Sequence, residues 1–212
     1  MDGKKSLRLD QEAILDIVTP KAAVLDLGCG SCELLAALVE RKGVKAQGIE
    51  IDDDAILQCV ALGLNVFHDD IDRGLSEYGD ESFDFIILNQ TFQQVKKPDE
   101  VLKEALRVGR KVIVGFPNFA SWSTRFQLGL RGRTPVTPSL PYEWHDTPNL
   151  HFLSILDFVV YCKKNRIRIE QGFYFTPKRR VRFLPNLLAD TALFVISKKL
   201  PAEAGKRRQI FS

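Results

Sequence analysis

The spacing of apolar residues changes along the chain in a repeating way. Val24 to Gly28 reads as a buried strand that breaks at a glycine, and from Ser31 onward the pattern turns helical, with Leu34, Leu35 and Leu38 on one side. Before it, Ala13, Ile14, Ile17 and Val18 form the apolar face of a first helix, with Asp10 as its expected cap and Thr19-Pro20 as its stop. A second strand is predicted from Lys45 to Ile51, a helix from Asp54 to Leu62 and a short third strand from Asn65 to Phe67. Phe83 to Leu88 is the near-continuous apolar run of a central parallel strand. Pro98 suits the first turn of a helix with Val101, Leu102, Ala105 and Leu106 inward, and Lys111 to Phe116 gives a fifth strand. Farther on, Ser154 caps a helix holding Leu156, Phe158, Val159 and Val160, Ile167 to Phe175 alternates as a strand, and Ala192 to Ser197 closes the sheet.

Alternating strands and helices predict an α/β, Rossmann-like fold: a mostly parallel sheet, helices on both faces, and a ligand beyond the strand carboxyl ends. One domain is expected over residues 1–199, with 200–212, including Lys206-Arg207-Arg208, as a mobile tail. Between Pro117 and Phe152 the pattern lapses into a proline-rich connection. A connection of that length is expected to lie over the ligand crevice or to recruit a partner.

The break after the first strand is where chemistry is expected. Gly28 and Gly30 permit a sharp bend and a close ligand approach, and the helix that follows offers unpaired N–H groups. A dinucleotide site needs a glycine at the sixth position counted from Gly28, where this chain has Glu33, a carboxylate that would repel a pyrophosphate. Glu50, at the tip of the neighbouring strand, is placed to accept the two hydroxyls of a ribose, while Asp52, Asp53 and Asp54 are left to cap the next helix. Asn89, Gln90 and Thr91 end the central strand at the same crevice.

Asp26 followed by Gly-Cys-Gly-Ser-Cys resembles the first motif of class I S-adenosylmethionine-dependent methyltransferases, which usually place a third glycine where Cys32 stands. The resemblance implies a seven-stranded sheet with the final strand antiparallel. It also implies S-adenosylmethionine or S-adenosylhomocysteine as the ligand, with Asp26, Gly28, Cys29, Gly30, Glu50 and Ile51 at the site. Asp70 and Ile71 would meet the adenine, and Asn89 the methionine end. Gln90 and Thr91 stand where amino methyltransferases have two prolines, so transfer to a nucleobase or glutamine nitrogen is not expected.

Charge and cysteine usage narrow the setting. A net charge of +3 without a basic stripe argues against nucleic acid as a partner. No apolar run suits a membrane span or a signal peptide, so a soluble, cytoplasmic protein is expected. Four cysteines are too few and too irregular for a disulfide framework. Cys29 and Cys32 form a CxxC at a helix start, where thiol acidity can be enhanced, but a redox centre or zinc knuckle there would compete with the ligand. His145 and His151 match no standard zinc spacing, and no metal is expected. Trp122, Phe126, Tyr142 and Trp144, interleaved with Arg125, Arg131 and Arg133, either pack the long connection onto the domain or anchor a protein interface.

Phe116-Pro117-Asn118-Phe119, Leu130-Arg131-Gly132-Arg133-Thr134-Pro135 and Leu140 to Asn149 (LPYEWHDTPN) look like the methionine-biosynthesis MetW family over nearly the whole chain, from Leu7 to Lys199. That resemblance implies an accessory role beside the homoserine O-acyltransferase MetX. It carries over no catalytic residue. The alternatives are an active methyltransferase on a small acceptor and a cofactor-free binding module.

Overall fold

Two-sided burial explains why the central strands are mostly apolar. In the computed structural model, which describes residues 7–198, β1 (Ala23–Leu27), β2 (Lys45–Glu50), β3 (Val66–His68), β4 (Phe83–Asn89) and β5 (Gly109–Pro117) lie parallel. Helices α1 (Leu9–Ile17) and α2 (Glu33–Lys42) cover one face, and α4 (Pro98–Val108) and α6 (Ile155–Lys164) the other. Successive residues of a strand therefore enter different cores. Val24, Phe85, Ile87 and Ile113 pack with α1 and α2, whereas Leu25, Ile86, Leu88, Val112 and Val114 pack with α4 and α6.

Strand order is β3-β2-β1-β4-β5-β8-β6-β7, with β6 (Ile167–Phe175), β7 (Arg180–Val181) and β8 (Thr191–Lys198) completing the sheet. The direction of winding reverses between β1 and β4, and a crevice opens there beyond their carboxyl ends. Helix α3 (Asp53–Ala61) joins β2 to β3, and the one-turn α7 (Pro185–Leu188) precedes β8.

Several expectations need correcting. Among the described residues the sheet has eight strands, not seven: Thr176 N–H bonds the Arg179 carbonyl at 2.9 Å, folding β7 back on β6. Its Val181 is buried, a role hidden in sequence among Lys178, Arg179, Arg180 and Arg182. β8 is antiparallel as expected, but it is inserted between β5 and β6. Asp10 does not cap α1; Arg8 holds that position, and Asp10 turns inward. The long connection is not irregular throughout, since α5 (Trp122–Arg131) runs from Ser121 to a left-handed Gly132 cap. The expected tail, 200–212, lies outside the described residues.

Candidate functional site

A cavity of about 500 Å³ occupies the reversal point, within the size range of small-molecule sites. All nine residues singled out from sequence line it: Asp26, Gly28, Cys29, Gly30, Glu50, Ile51, Asp70, Ile71 and Asn89. They arrive from the ends of β1, β2 and β4 and from the turn after β3.

The two glycines do different work. A Cβ at Gly28 would lie 2.5 Å from Thr91 Cγ2, so that glycine makes room for a neighbouring side chain. A Cβ at Gly30 would meet nothing within 4 Å, and its φ is +53°. Gly30 therefore combines a left-handed backbone with open space. Gly48 on β2 is bare for a third reason: its missing Cβ leaves room for Cys29 Sγ, which a Cβ would meet at 2.6 Å.

Glu50 closes the bend. Its Oε2 accepts from Gly30 N–H at 2.8 Å, and its Oε1 accepts from Ile51 N–H at 2.8 Å and Asp52 N–H at 3.1 Å. A carboxylate has about four acceptor sites, so three backbone donors leave one open, on Oε2. The expected bidentate grip on a diol requires one of these bonds to give way. Asp52 caps α3 as foreseen, accepting from Ala55 N–H at 2.8 Å. Asp70 also serves the backbone, accepting from Asp72 N–H at 3.0 Å in the turn Ile71–Arg73.

Acidic side chains dominate the lining. Asp26, Glu33, Glu50, Asp69, Asp70 and Asp72 face only Arg8 and Lys96 among basic residues. Such a field favours a cationic ligand and disfavours a polyphosphate. Burial, and then the charge of Glu50, push Asp26 up to about 7. Burial, with Asp26 and Glu50 behind it, pushes the Cys29 thiol up to about 12. The enhanced acidity expected at the helix start is thus reversed at Cys29, because desolvation and two nearby carboxylates outweigh the backbone hydrogen bond that lowers it.

Cysteine pairing differs from expectation as well. Cys32 bonds Cys59 of α3 in a disulfide, and the free Cys29 Sγ lies 3.4 Å from Cys32 Sγ. Cys32 stands where a third glycine is usual, with φ of 60°, so a side chain occupies the left-handed region and is tied covalently to α3. Among the described residues these three sulfurs form the one close group of metal-ligating atom types, but the disulfide leaves only the Cys29 thiol able to ligate, and neither His145 nor His151 belongs to such a group.

Asn89 is fixed from a distance. Its Nδ2 donates to Asp10 Oδ2 at 2.9 Å, and Arg8 donates to both oxygens of Asp10, at 3.1 and 3.0 Å. Asn89 Oδ1 is buried without a hydrogen-bond partner. Arg8 and Gln11 of the cavity wall were not foreseen, since nothing local in the sequence says that the start of α1 reaches β4.

Beside the first cavity lies a second, of about 460 Å³, sharing Arg8, Gln90 and Gln94 with it. Pro138, Ser139, Pro141, Tyr142 and Asn149 of the long connection form one wall, pinned where Leu150 and His151 N–H both bond the Gln93 carbonyl at 3.0 Å.

The fold is shared with solved S-adenosylmethionine-dependent methyltransferases. One from Thermotoga maritima matches with a TM-score of 0.63 at 18% identity, covering 90% of this chain and 88% of that one. Another, from Archaeoglobus fulgidus, matches with a TM-score of 0.65 at 15% identity over 89% of this chain and 94% of its own. Architecture and likeness together define a class I methyltransferase-type fold. Residues 8–196 match the family model described as methionine biosynthesis protein MetW, and the chain belongs to that family. It is 34% identical over 207 residues to the bifunctional methionine biosynthesis protein MetXA/MetW of Rhodopirellula baltica. That alignment takes in 92% of this chain and 33% of the relative, so the chain spans about one third of the relative's length. Among the described residues, no helix is long and apolar enough to cross a membrane.

Proposed function

We propose that the first cavity binds S-adenosylmethionine or S-adenosylhomocysteine and that the protein acts beside a homoserine O-acyltransferase in methionine synthesis. The observation that carries the ligand reading is the pairing of open space at Gly30 with the Glu50 carboxylate in an acid-lined cavity. A sulfonium and an α-ammonium group suit that field, the ammonium finding a counter-charge in Asp26 and the ribose a hydroxyl acceptor in Glu50. Asp70 and Ile71 would border the adenine, and Asn89 the amino-acid end. The partner reading draws on the R. baltica relative, whose name joins MetXA and MetW. Isothermal titration with S-adenosylmethionine and S-adenosylhomocysteine tests the first half, with dissociation constants in the micromolar range expected. Absence of binding at high micromolar concentration removes it. Copurification with the acyltransferase, and a change in its activity on adding this chain, tests the second.

The adjoining second cavity favours an additional reading as an active methyltransferase, because an acceptor lodged there would share Gln90 and Gln94 with the ligand site. Methyl transfer from a sulfonium needs chiefly in-line alignment of donor and acceptor. A screen of small acceptors with labelled S-adenosylmethionine decides it by turnover.

A further inference from the structure

Helix α5 carries its apolar residues on the outside. Of its ten residues only Thr124 is buried, while Trp122, Phe126 and Leu130 are 58%, 43% and 76% exposed. Their spacing of four turns each about 40° from the last, so the three make one stripe along the solvent side of the helix. The stripe is held firmly. Arg125 Nε bonds the Ala120 carbonyl at 2.7 Å, and Gln127 clamps Val136, donating to its carbonyl at 3.0 Å and accepting from its N–H at 3.1 Å. That clamp sets the segment after α5 so that Arg133, Val136 and Trp144, the last 74% exposed, line a shallow cavity of about 260 Å³.

We infer that the α5 stripe and the Trp144 cavity are one docking surface for the acyltransferase, an inference that rests on the accessory role proposed above. Aromatic anchors flanked by arginine on a rigid element are what protein interfaces use at their centres. Charge specifies the other side. α5 holds Arg125 and Arg131 and no acid, Arg133 follows, the Trp144 cavity adds one acid, Glu143, and the Arg131 guanidinium lies 5.4 Å above the Phe126 ring, so the balance is basic. The complementary surface is an apolar groove with carboxylates on its rim.

The test uses the full chain and the purified homoserine O-acyltransferase of the same organism in surface-binding kinetics. Replacing Trp122, Phe126 and Leu130 together by alanine is expected to weaken the complex about 100-fold. Affinity for S-adenosylhomocysteine and the thermal midpoint should be unchanged, since none of the three is buried or lines the first cavity. Arg131→Glu with Arg133→Glu should slow association about tenfold at low salt and little at high salt. If wild type binds the acyltransferase and the triple variant binds equally well, the surface assignment is wrong while the accessory role stands. Failure of wild type to bind overturns both. Cosedimentation with phosphatidylglycerol vesicles that the triple variant loses, with acyltransferase binding intact, would assign the stripe to a membrane surface and overturn the inference.

Discussion

Two connections at the carboxyl edge of the sheet are built on opposite plans. The bend from Gly28 to Cys32 is short, with its side chains and N–H groups committed inward to Thr91, Glu50 and Cys59. The span from Pro117 to Phe152 turns α5, Tyr142 and Trp144 outward and is secured at a few points by Asn118, Gln127 and the Gln93 carbonyl. The first plan suits enclosure of a small ligand. The second suits contact with something large.

Within the bend, the sharpest break comes from its two glycines. Gly30→Val should weaken S-adenosylhomocysteine binding more than 1,000-fold by calorimetry, because its side chain enters the cavity and a β-branched residue resists positive φ. The circular dichroism spectrum should stay native. Gly28→Ala should instead lower the thermal midpoint by several degrees, because the new methyl meets Thr91. Next comes the tie to α3. Cys59→Ser opens a loop with a sequence separation of 27 and should cost about 2–4 kcal/mol of unfolding free energy in urea.

A smaller effect distinguishes the acids. With Asp26 at about 7 in the folded protein and near 3.8 when unfolded, the native state holds the extra proton between those values. Stability therefore falls as pH rises through that window, and Asp26→Asn should remove the fall. Binding runs the other way. A cationic ligand needs the ionised carboxylate, so affinity should be about tenfold lower at pH 6 than at pH 8 by titration. Asp26→Asn should flatten that profile. The least effect is expected from Asp52→Ala, about 1 kcal/mol in denaturant unfolding from the lost cap, with ligand affinity within about twofold.

The bend was legible because its determinants are local: an apolar strand, glycines at the turn and an acid at the tip of the next strand. Even so, sequence assigned Gly28 to ligand approach, and only its neighbour Thr91 reveals a packing role. Contacts between distant segments were beyond reach, as with Asp10 on Asn89, Cys32 with Cys59, and β8 between β5 and β6. Asp10 looked like a cap because acids at helix starts usually are caps, and nothing nearby marked it as buried. α5 was a different failure. Ser121, the fourfold spacing from Trp122 to Leu130 and Gly132 are all helix signals, masked by prolines farther along.

The insertion of β8 between β5 and β6 bears on how the chain assembles. During synthesis the first five strands emerge in order and can pair, but β5 then presents a bare hydrogen-bonding edge until α5, α6 and the β6–β7 hairpin have also been made. For that interval the nascent protein is open to mispairing with a second copy, so ribosome-bound or truncated chains ending before Thr191 should aggregate in preference to folding.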